Sequence, residues 1–443
     1  MAAALGAGML PRSWPALIGY NGASIFIYEK PVMSQNNAAN AVVDVVVIGA
    51  GAAGMLCAAT AGQRGKSVVL IDHAAKLAEK IRISGGGRCN FTNLHATHQN
   101  FISNNPHFCK SALSRYTPQD FLALLKRHRI AFHEKHKGQL FCDNSAEDII
   151  RMLKDECDAG HVQWRMPCEV GQITRAEPEG GQGGAVFALQ TSLGPLLAAN
   201  LVIATGGLSI PKIGATDFSY RIAKQFGLKL VEPQPALVPL TFDGPAWAPF
   251  APLSGIALEV DIETGDKKNK TVFREDLLFT HRGLSGPAVL QISSFWQAGQ
   301  AITVNLLPQM DVAQTLIDAK TTSRKNLTNF LAAFLPARLV DGLLAAHGFA
   351  GDAKMADMPD KRLRLLGENL NHWQLVPNGS EGYRKAEVTR GGIDTRELSQ
   401  QSMMAVKVQG LYFIGEAVDV TGWLGGYNFQ WAWASGVAAG KAV

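Results

Sequence analysis

The chain has 443 residues, 47% of them hydrophobic and 18% charged, and a formal net charge of +5 at pH 7. That length supports a large buried core shared by two or three domains, and the composition is that of a globular soluble protein. Its cysteines, Cys57, Cys89, Cys109, Cys142, Cys157 and Cys168, form no CxxC pair and no metal-ligand cluster, so the sequence points away from a disulfide framework or a metal centre and toward reduced thiols in the cytoplasm.

Residues 1–41 are rich in Ala, Gly, Pro and Asn, with Arg12 the only cation near the start. They make a poor signal peptide and are expected to be disordered, with Met33 a candidate alternative start. Residues 42–72 are the most structured stretch by pattern. An apolar run leads into Gly49, Gly51 and Gly54, a helix of small residues follows, and a second apolar run ends at Asp72, twenty-three positions after Gly49. Gly49 allows the tight turn, Gly51 lets backbone approach a pyrophosphate, and Gly54 permits close helix packing. The helix start at Ala52 and Ala53 offers unpaired N–H groups and a positive dipole end to phosphates, and Asp72 is placed to accept from ribose hydroxyls. Residues 45–62 carry no charge, yet their glycines match this turn better than a membrane span. The motif alone leaves FAD and NAD open.

A basic connector with Lys76, Lys80 and Arg82 then reaches Ser84-Gly85-Gly86-Gly87-Arg88-Cys89-Asn90. Consecutive glycines followed by polar residues suit backbone pressed against a ligand. Residues 106–160 read as helical, with Ser145 and Asp148 resembling a helix-start capping pair. The run at residues 126–137 packs eight basic or titratable side chains around Glu134, either as a solvated helix end or as a surface facing RNA. Residues 162–199 read as a meander of short strands with a turn at 180–184. The apolar strand at 201–203 ends in Thr205, Gly206 and Gly207, which the pattern brings to the edge that holds Gly49.

The texture changes between about residues 211 and 372, where an inserted domain is expected. Residues 237–242, 256–263 and 271–280 read as strands. His281 and Arg282 then precede a helix with Ser285 as N-cap and Pro287 in its first turn, a good anion or substrate position. The last segment returns with Glu387-Val388-Thr389-Arg390-Gly391-Gly392-Ile393. An apolar strand follows that stops at Gly415, Glu416 and Asp419, and then Gly425, Gly426, Tyr427 and Asn428 open a helix rich in alanine.

Residues 49–54, 204–207 and 415–419 together resemble the three-part FAD signature of two-dinucleotide-binding flavoproteins. With the SGGGRCNFTN loop, LFTHRGLSGPAVLQIS, EVTRGGID and GEAVDVTGWLGGYNFQWAW, the chain is identified as a member of the YhiN (BaiN/RdsA) family, most similar to its proteobacterial YhiN branch, from about residue 42 to residue 443. The resemblance implies an α/β fold: a glutathione reductase-like FAD domain (residues 42–212 and 373–443) interrupted by a β-barrel and helical domain (213–372).

It also implies reduction or oxidation of small carbon frameworks, including unsaturated bile acid intermediates, aminoacetone and a uridine of large-subunit ribosomal RNA. The last is the branch activity and the first expectation, with NADH or NADPH as electron donor. A reductase or oxidase of a small metabolite, and an RNA-binding protein that holds FAD structurally, are the alternatives. The segments around Gly49, Lys80, Ser84, Thr205, Gly415 and Gly425 are then expected to hold FAD, with the C-terminal helix dipole at the N1/O2 side of the ring. Uridine reduction needs a hydride at C6 and a proton at C5. Cys89 and His281 are the candidate acids, Cys89 being equally well read as an inert buried thiol, and Arg282 is a candidate to orient a phosphate or a uracil oxygen.

Overall fold

A computed structural model describes residues 42–176 and 186–443. The N-terminal stretch expected to be disordered and the turn expected at 180–184 lie outside the described residues.

Strand β1 (Val42–Ile48), helix α1 (Ala52–Gly62) and strand β2 (Val68–Ile71) form where the glycine pattern places them. β1 pairs in parallel with β2 on one side and with Leu196–Ile203 on the other, so Ile48 lies opposite both Ile71 and Ile203. All three strands therefore end at one edge, and Val45, Val46, Val47 and all of β2 are buried, as strands covered on both faces require. The strand Leu196–Ile203 does double duty. Its first half pairs antiparallel with Val186–Thr191, which continues the meander to Val170–Ala176, while its second half pairs in parallel with Leu411–Phe413.

The C-terminal helix Tyr427–Ala442 closes the layer over α1. Small residues make this possible: a Cβ on Gly436 would meet Ala53 O at 2.5 Å and one on Gly440 would meet Cys57 O at 2.6 Å. On its far side Trp433 stacks on Phe121 with centroids 4.5 Å apart.

Residues 106–160 differ from the helical reading. Helices Pro118–Arg127 and Ala146–Ala159 form, but between them lies a hairpin, Phe132–Glu134 with Gln139–Cys142, which pairs on to Asn90–Asn93. Ser145 does cap the second helix, accepting from Glu147 N at 3.2 Å, whereas the Asp148 carboxylate pairs with Arg151 instead of reaching back.

A second sheet has the order Trp373–Leu375, Ile302–Asn305, Ala257–Thr264, Thr271–Thr280, Gly283–Ser285, Leu240–Thr241 and Gly379–Ser380, antiparallel throughout. The expected barrel thus takes the form of a seven-stranded antiparallel sheet whose terminal strands are not paired to each other among the described residues. It has its own core, including Val260, Ile262, Leu277, Phe279, Leu363 and Leu366, distinct from the core around β1. Trp423 packs against both, edge-on to Phe273 at 5.1 Å. Of residues 237–242 only Leu240–Thr241 is strand, while Leu230–Ala236 forms a two-stranded ladder with Val388–Ile393 despite Pro233 and Pro235. Among the described residues no helix is long and apolar enough to cross a membrane.

Candidate cofactor and substrate site

The edge where β1, β2 and Leu196–Ile203 end carries two kinds of glycine. Gly49 has φ +110°, and a Cβ there would meet Ala204 O at 2.5 Å; a Cβ on Gly54 would meet Gly49 O at 1.8 Å. These two are required by packing. Gly51, Gly86, Gly87 and Gly206 are different: a Cβ on any of them would have no neighbouring atom within 4 Å. They border open space, and three of them, Gly86, Gly87 and Gly206, come from outside the β1–α1 turn.

Gly51 is the N-cap of α1 and has no side chain to satisfy the helix start, which leaves the N–H groups of the first turn at Ala52 and Ala53 as an anion site. Asp72 is held rigidly beside it. Its Oδ2 accepts from Ala50 N at 2.7 Å and its Oδ1 from Ala74 N at 2.8 Å. Each oxygen keeps a further lone pair for a hydroxyl donor.

The opposite wall is a polar cluster drawn from distant segments. Lys80 Nζ gives to Ser209 Oγ at 2.7 Å and forms an ion pair with Glu416. Glu416 Oε1 accepts from Ser209 Oγ and from Thr389 N, both at 2.8 Å. Thr389 Oγ1 accepts in turn from Leu208 N at 2.9 Å and Ser209 N at 3.2 Å, so it fixes the chain just after Thr205, Gly206 and Gly207. Thr205 Oγ1 is buried and has no hydrogen-bond partner among the described residues, a hydroxyl in want of a ligand atom or water at this edge. Ser209 and Thr389 were not among the expected site residues. Sequence carried a signal for Thr389 alone, its place in the EVTRGGID segment.

The glycine loop is built for backbone display. Gly85, Gly86 and Gly87 have φ of +56°, +67° and +85°, and Cys89 has φ +48°. Ser84 Oγ gives to Ile81 O at 2.8 Å, and Arg88 is exposed. Cys89 is fully buried, and burial pushes its thiol well above the ordinary range, with Ser84 opposing the shift and Cys142 adding to it. A thiol so placed is a poor acid. Asn90 accepts from Gly426 N and gives to Leu140 O, each at 3.2 Å, and so ties the loop to the start of the C-terminal helix.

At that start Gly426 is left-handed (φ +94°) and a Cβ on it would strike Thr92 O at 2.3 Å, while one on Gly425 would meet the Gln139 side chain at 2.9 Å. Tyr427 is buried, and the Asn428 amide is committed to Gly422, accepting from its N–H at 2.8 Å and giving to its carbonyl at 2.9 Å. Gly415 N is held by Ser435 Oγ at 3.0 Å. Asp419 Oδ2 accepts from Asn104 N at 2.9 Å; burial pushes its carboxyl up, partly opposed by that bond.

His281 and Arg282 stand apart from this cluster. They line a cavity of about 270 Å³ on the second sheet together with Thr241, Phe242, Trp247 and Asn378. Phe242 and Trp247 stack there at 4.8 Å and 15°, and Arg282 Nη1 lies 3.1 Å from Glu381 Oε1. The basic run at 126–137 is compensated in part: Arg127 and His128 meet Glu156 at 2.8 and 2.6 Å, His133 meets Asp143 at 2.7 Å and Lys137 meets Glu275 at 2.7 Å, while Lys126, Arg129, Lys135 and His136 are exposed and form no ion pair among the described residues.

The open glycine cradle, the unsatisfied helix start, the acid at the end of β2 and the orphaned Thr205 hydroxyl fit a dinucleotide such as FAD. Relatives agree with that geometry. The ribosomal RNA dihydrouridine synthase of Escherichia coli strain K12 is 50% identical over 400 residues, which cover 90% of this chain and 97% of that protein. The protein of the same name from Haemophilus influenzae is 47% identical over 399 residues, covering 90% and 98%. The 3-dehydro-bile acid delta(4,6)-reductase of Clostridium scindens is 26% identical over 414 residues, covering 90% and 98%. The model of the HI0933-like protein Rossmann domain matches residues 43–442, and the chain belongs to that family, the group its motifs resemble under the name YhiN.

Proposed function

We propose that this protein is an FAD-dependent oxidoreductase that reduces the C5=C6 bond of a uridine in large-subunit ribosomal RNA, with NADH or NADPH as electron donor. The observation that carries this reading is the 50% identity, over nearly the whole of both chains, to a ribosomal RNA dihydrouridine synthase. The open cradle at Gly51, Gly86, Gly87 and Gly206 supports the cofactor assignment.

FAD, when bound, supplies the hydride-transfer chemistry that no protein side chain offers. The first turn of α1 would hold the pyrophosphate with its N–H groups and dipole, and Asp72 would accept from the ribose. Lys80, Ser209, Thr389 and Glu416 cross-link the segments around the middle of the cradle. The C-terminal helix starts beside the glycine loop, tied to it through Asn90, and the positive end of its dipole would favour negative charge there. The cavity at Phe242, His281 and Arg282 combines an aromatic wall with a cation, the combination that holds an unstacked base and its phosphate.

A second reading, a reductase or oxidase of a small metabolite, is favoured by one observation: half of the basic side chains at 126–137, Arg127, His128, His133 and Lys137, are already engaged by carboxylates, which weakens the run as a surface for a polyanion. Incubating the yellow holoprotein with NADH or NADPH and ribosomal RNA that lacks the modification decides between them. Mass spectrometry is expected to find one uridine that has gained two hydrogens. No such gain on free RNA or on precursor subunits would reject the RNA substrate.

A further inference from the structure

Between Glu79 and Asp120 the sequence contains no acidic residue, although it carries Lys80, Arg82 and Arg88 about the glycine loop. Lys80 is engaged by Glu416, and Arg82 by Glu79 and Glu147. Arg88 is not. It is exposed at the end of the loop, one residue after the open Gly87, and forms no ion pair among the described residues. The acid-free stretch continues as Asn90–Asn93, one strand of a three-stranded sheet with Gln139–Cys142 and Phe132–Glu134.

That sheet gathers free basic side chains at both ends. At one end Cys142 N gives to Arg88 O at 2.9 Å and Asp143 N to Ala131 O at 3.0 Å, so Arg88 and the segment that carries Arg129 flank the same two residues. At the other end Leu94 N gives to Gly138 O at 2.8 Å, and a Cβ on Gly138 would meet the His95 ring at 2.6 Å, which sets His95 beside Lys135 and His136 of the hairpin turn. All five side chains are exposed and without an ion pair among the described residues. The acids of the sheet are occupied: Glu134 accepts from Gly138 N at 2.9 Å and Asp143 meets His133 at 2.7 Å. Glu134 still offsets one charge, and Arg88, Arg129 and Lys135 leave an excess of cations. The second sheet presents the opposite sign. On the face away from its buried Val260 and Leu277, Glu259 lies directly across from Asp276, both exposed and without an ion pair among the described residues, so a polyanion is repelled there.

We propose that this three-stranded sheet, through Arg88, His95, Arg129, Lys135 and His136, is the docking surface for the phosphate backbone of the RNA. The proposal rests on the RNA reading of the function and adds to it the side of approach: the RNA lies over the glycine loop, held by phosphate contacts that position it without reading its bases. Arg88 and His95 are seven positions apart in the chain and therefore no more than about 25 Å apart in space, a distance that about seven nucleotides of a stacked strand cover. The paired cations of residues 126–137 take no part. Lys137 instead ties the hairpin to the second sheet, meeting Glu275 at 2.7 Å and giving to Arg274 O at 2.6 Å.

The test uses the FAD-loaded protein and filter binding of unmodified large-subunit ribosomal RNA across a range of salt. Arg129→Gln combined with Lys135→Gln removes two exposed charges. It should weaken binding about tenfold at low salt and flatten the slope of log affinity against log salt by about one to two units. KM for the RNA rises, while kcat, FAD absorbance and the melting temperature hold. Arg129→Lys combined with Lys135→Arg keeps both charges and is expected to recover most of the affinity. Unchanged affinity and slope in the Gln pair, or an equal loss in the charge-keeping pair, would overturn the docking surface; continued reduction of the RNA by the wild type would then leave the substrate reading standing. If the wild type neither binds nor reduces the RNA at any salt, the substrate reading falls and the docking surface falls with it.

Discussion

Asp72 Oδ2 lies 2.7 Å from the N–H of Ala50, so the acid that closes the dinucleotide motif also braces the glycine turn that opens it. Ala50 is fully buried, and its N–H has no water to turn to. Asp72→Ala strands that donor, at a cost of about 1–3 kcal/mol in folding stability. The same change removes a ribose acceptor, so FAD affinity should fall by about tenfold, which corresponds to about 1.4 kcal/mol. Thermal unfolding of the apoprotein and fluorescence titration with FAD measure the two losses separately. Unchanged FAD affinity would mean that Asp72 serves the turn alone.

Two glycines three positions apart should behave oppositely. A Cβ on Gly51 meets nothing within 4 Å, and Gly51 has φ −88°, which any residue adopts. Gly51→Val should leave the melting temperature of the apoprotein nearly unchanged and abolish FAD uptake, because the methyl groups occupy the space of the pyrophosphate. Gly54→Ala forces a methyl to within 1.8 Å of Gly49 O, where neither backbone can yield. It should destabilise the protein by more than the 1–3 kcal/mol or so typical of overpacking. Absorbance near the flavin band together with calorimetry tests the pair.

This contrast also marks what could be read from sequence. The β1–α1–β2 unit was legible because its chemistry is local: each glycine, the small-residue helix and Asp72 lie within one turn-and-return of the chain. The polar wall was legible only in part: Lys80 and Glu416 were expected at the site, Ser209 and Thr389 were not. Ser209, Thr389, Lys80 and Glu416 become neighbours only through the parallel pairing of Leu196–Ile203 with Leu411–Phe413 and the ladder of Val388–Ile393 with Leu230–Ala236. That last strand is itself hidden by Pro233 and Pro235, which a strand with a single neighbour tolerates. The hairpin beginning at Phe132 was masked by a run of basic residues with helical texture. The partners of Arg127, His128 and Lys137 were hidden for the same non-local reason, since Glu156 and Glu275 lie outside the run.

Glu156 gives a pH prediction. Burial alone would raise its carboxyl, but hydrogen bonds from Gln63 at 2.8 Å and His128 at 2.6 Å, with Arg127 beside it, outweigh burial and hold it below the ordinary carboxylate value. A folded-state value that is depressed means stability present above the unfolded value of about 4.3 and lost as pH falls through the folded one. Glu156→Gln should therefore be less stable than wild type at pH 7 by about 1–3 kcal/mol. The gap should close as the pH is lowered below about 4, where the wild-type carboxylate is itself protonated. Denaturant melts of both proteins across that range decide it, and a gap independent of pH would show that packing, not charge, supplies the stability.

Arg282 and Glu381 make opposite predictions for substrate binding. The guanidinium is largely exposed, with 68% of its side-chain surface accessible, and its carboxylate partner is 17% exposed, so the pair stands at the rim of the cavity walled by Phe242 and Trp247. Exposed pairs of this kind contribute at most about 1 kcal/mol, so Arg282 can exchange Glu381 for a phosphate at little cost. Arg282→Ala should raise KM for ribosomal RNA while kcat and FAD absorbance hold, and the slope of log affinity against log salt should flatten by about one unit. Glu381→Gln frees the cation from its competitor and should lower KM at low salt, an advantage that screening removes as salt rises. Phe242→Ala takes away the stacking face and should weaken binding by about 1–3 kcal/mol without changing the salt slope. If the substrate is instead a small uncharged molecule, Arg282→Ala and Glu381→Gln leave the salt dependence flat, and only the Phe242 variant moves KM.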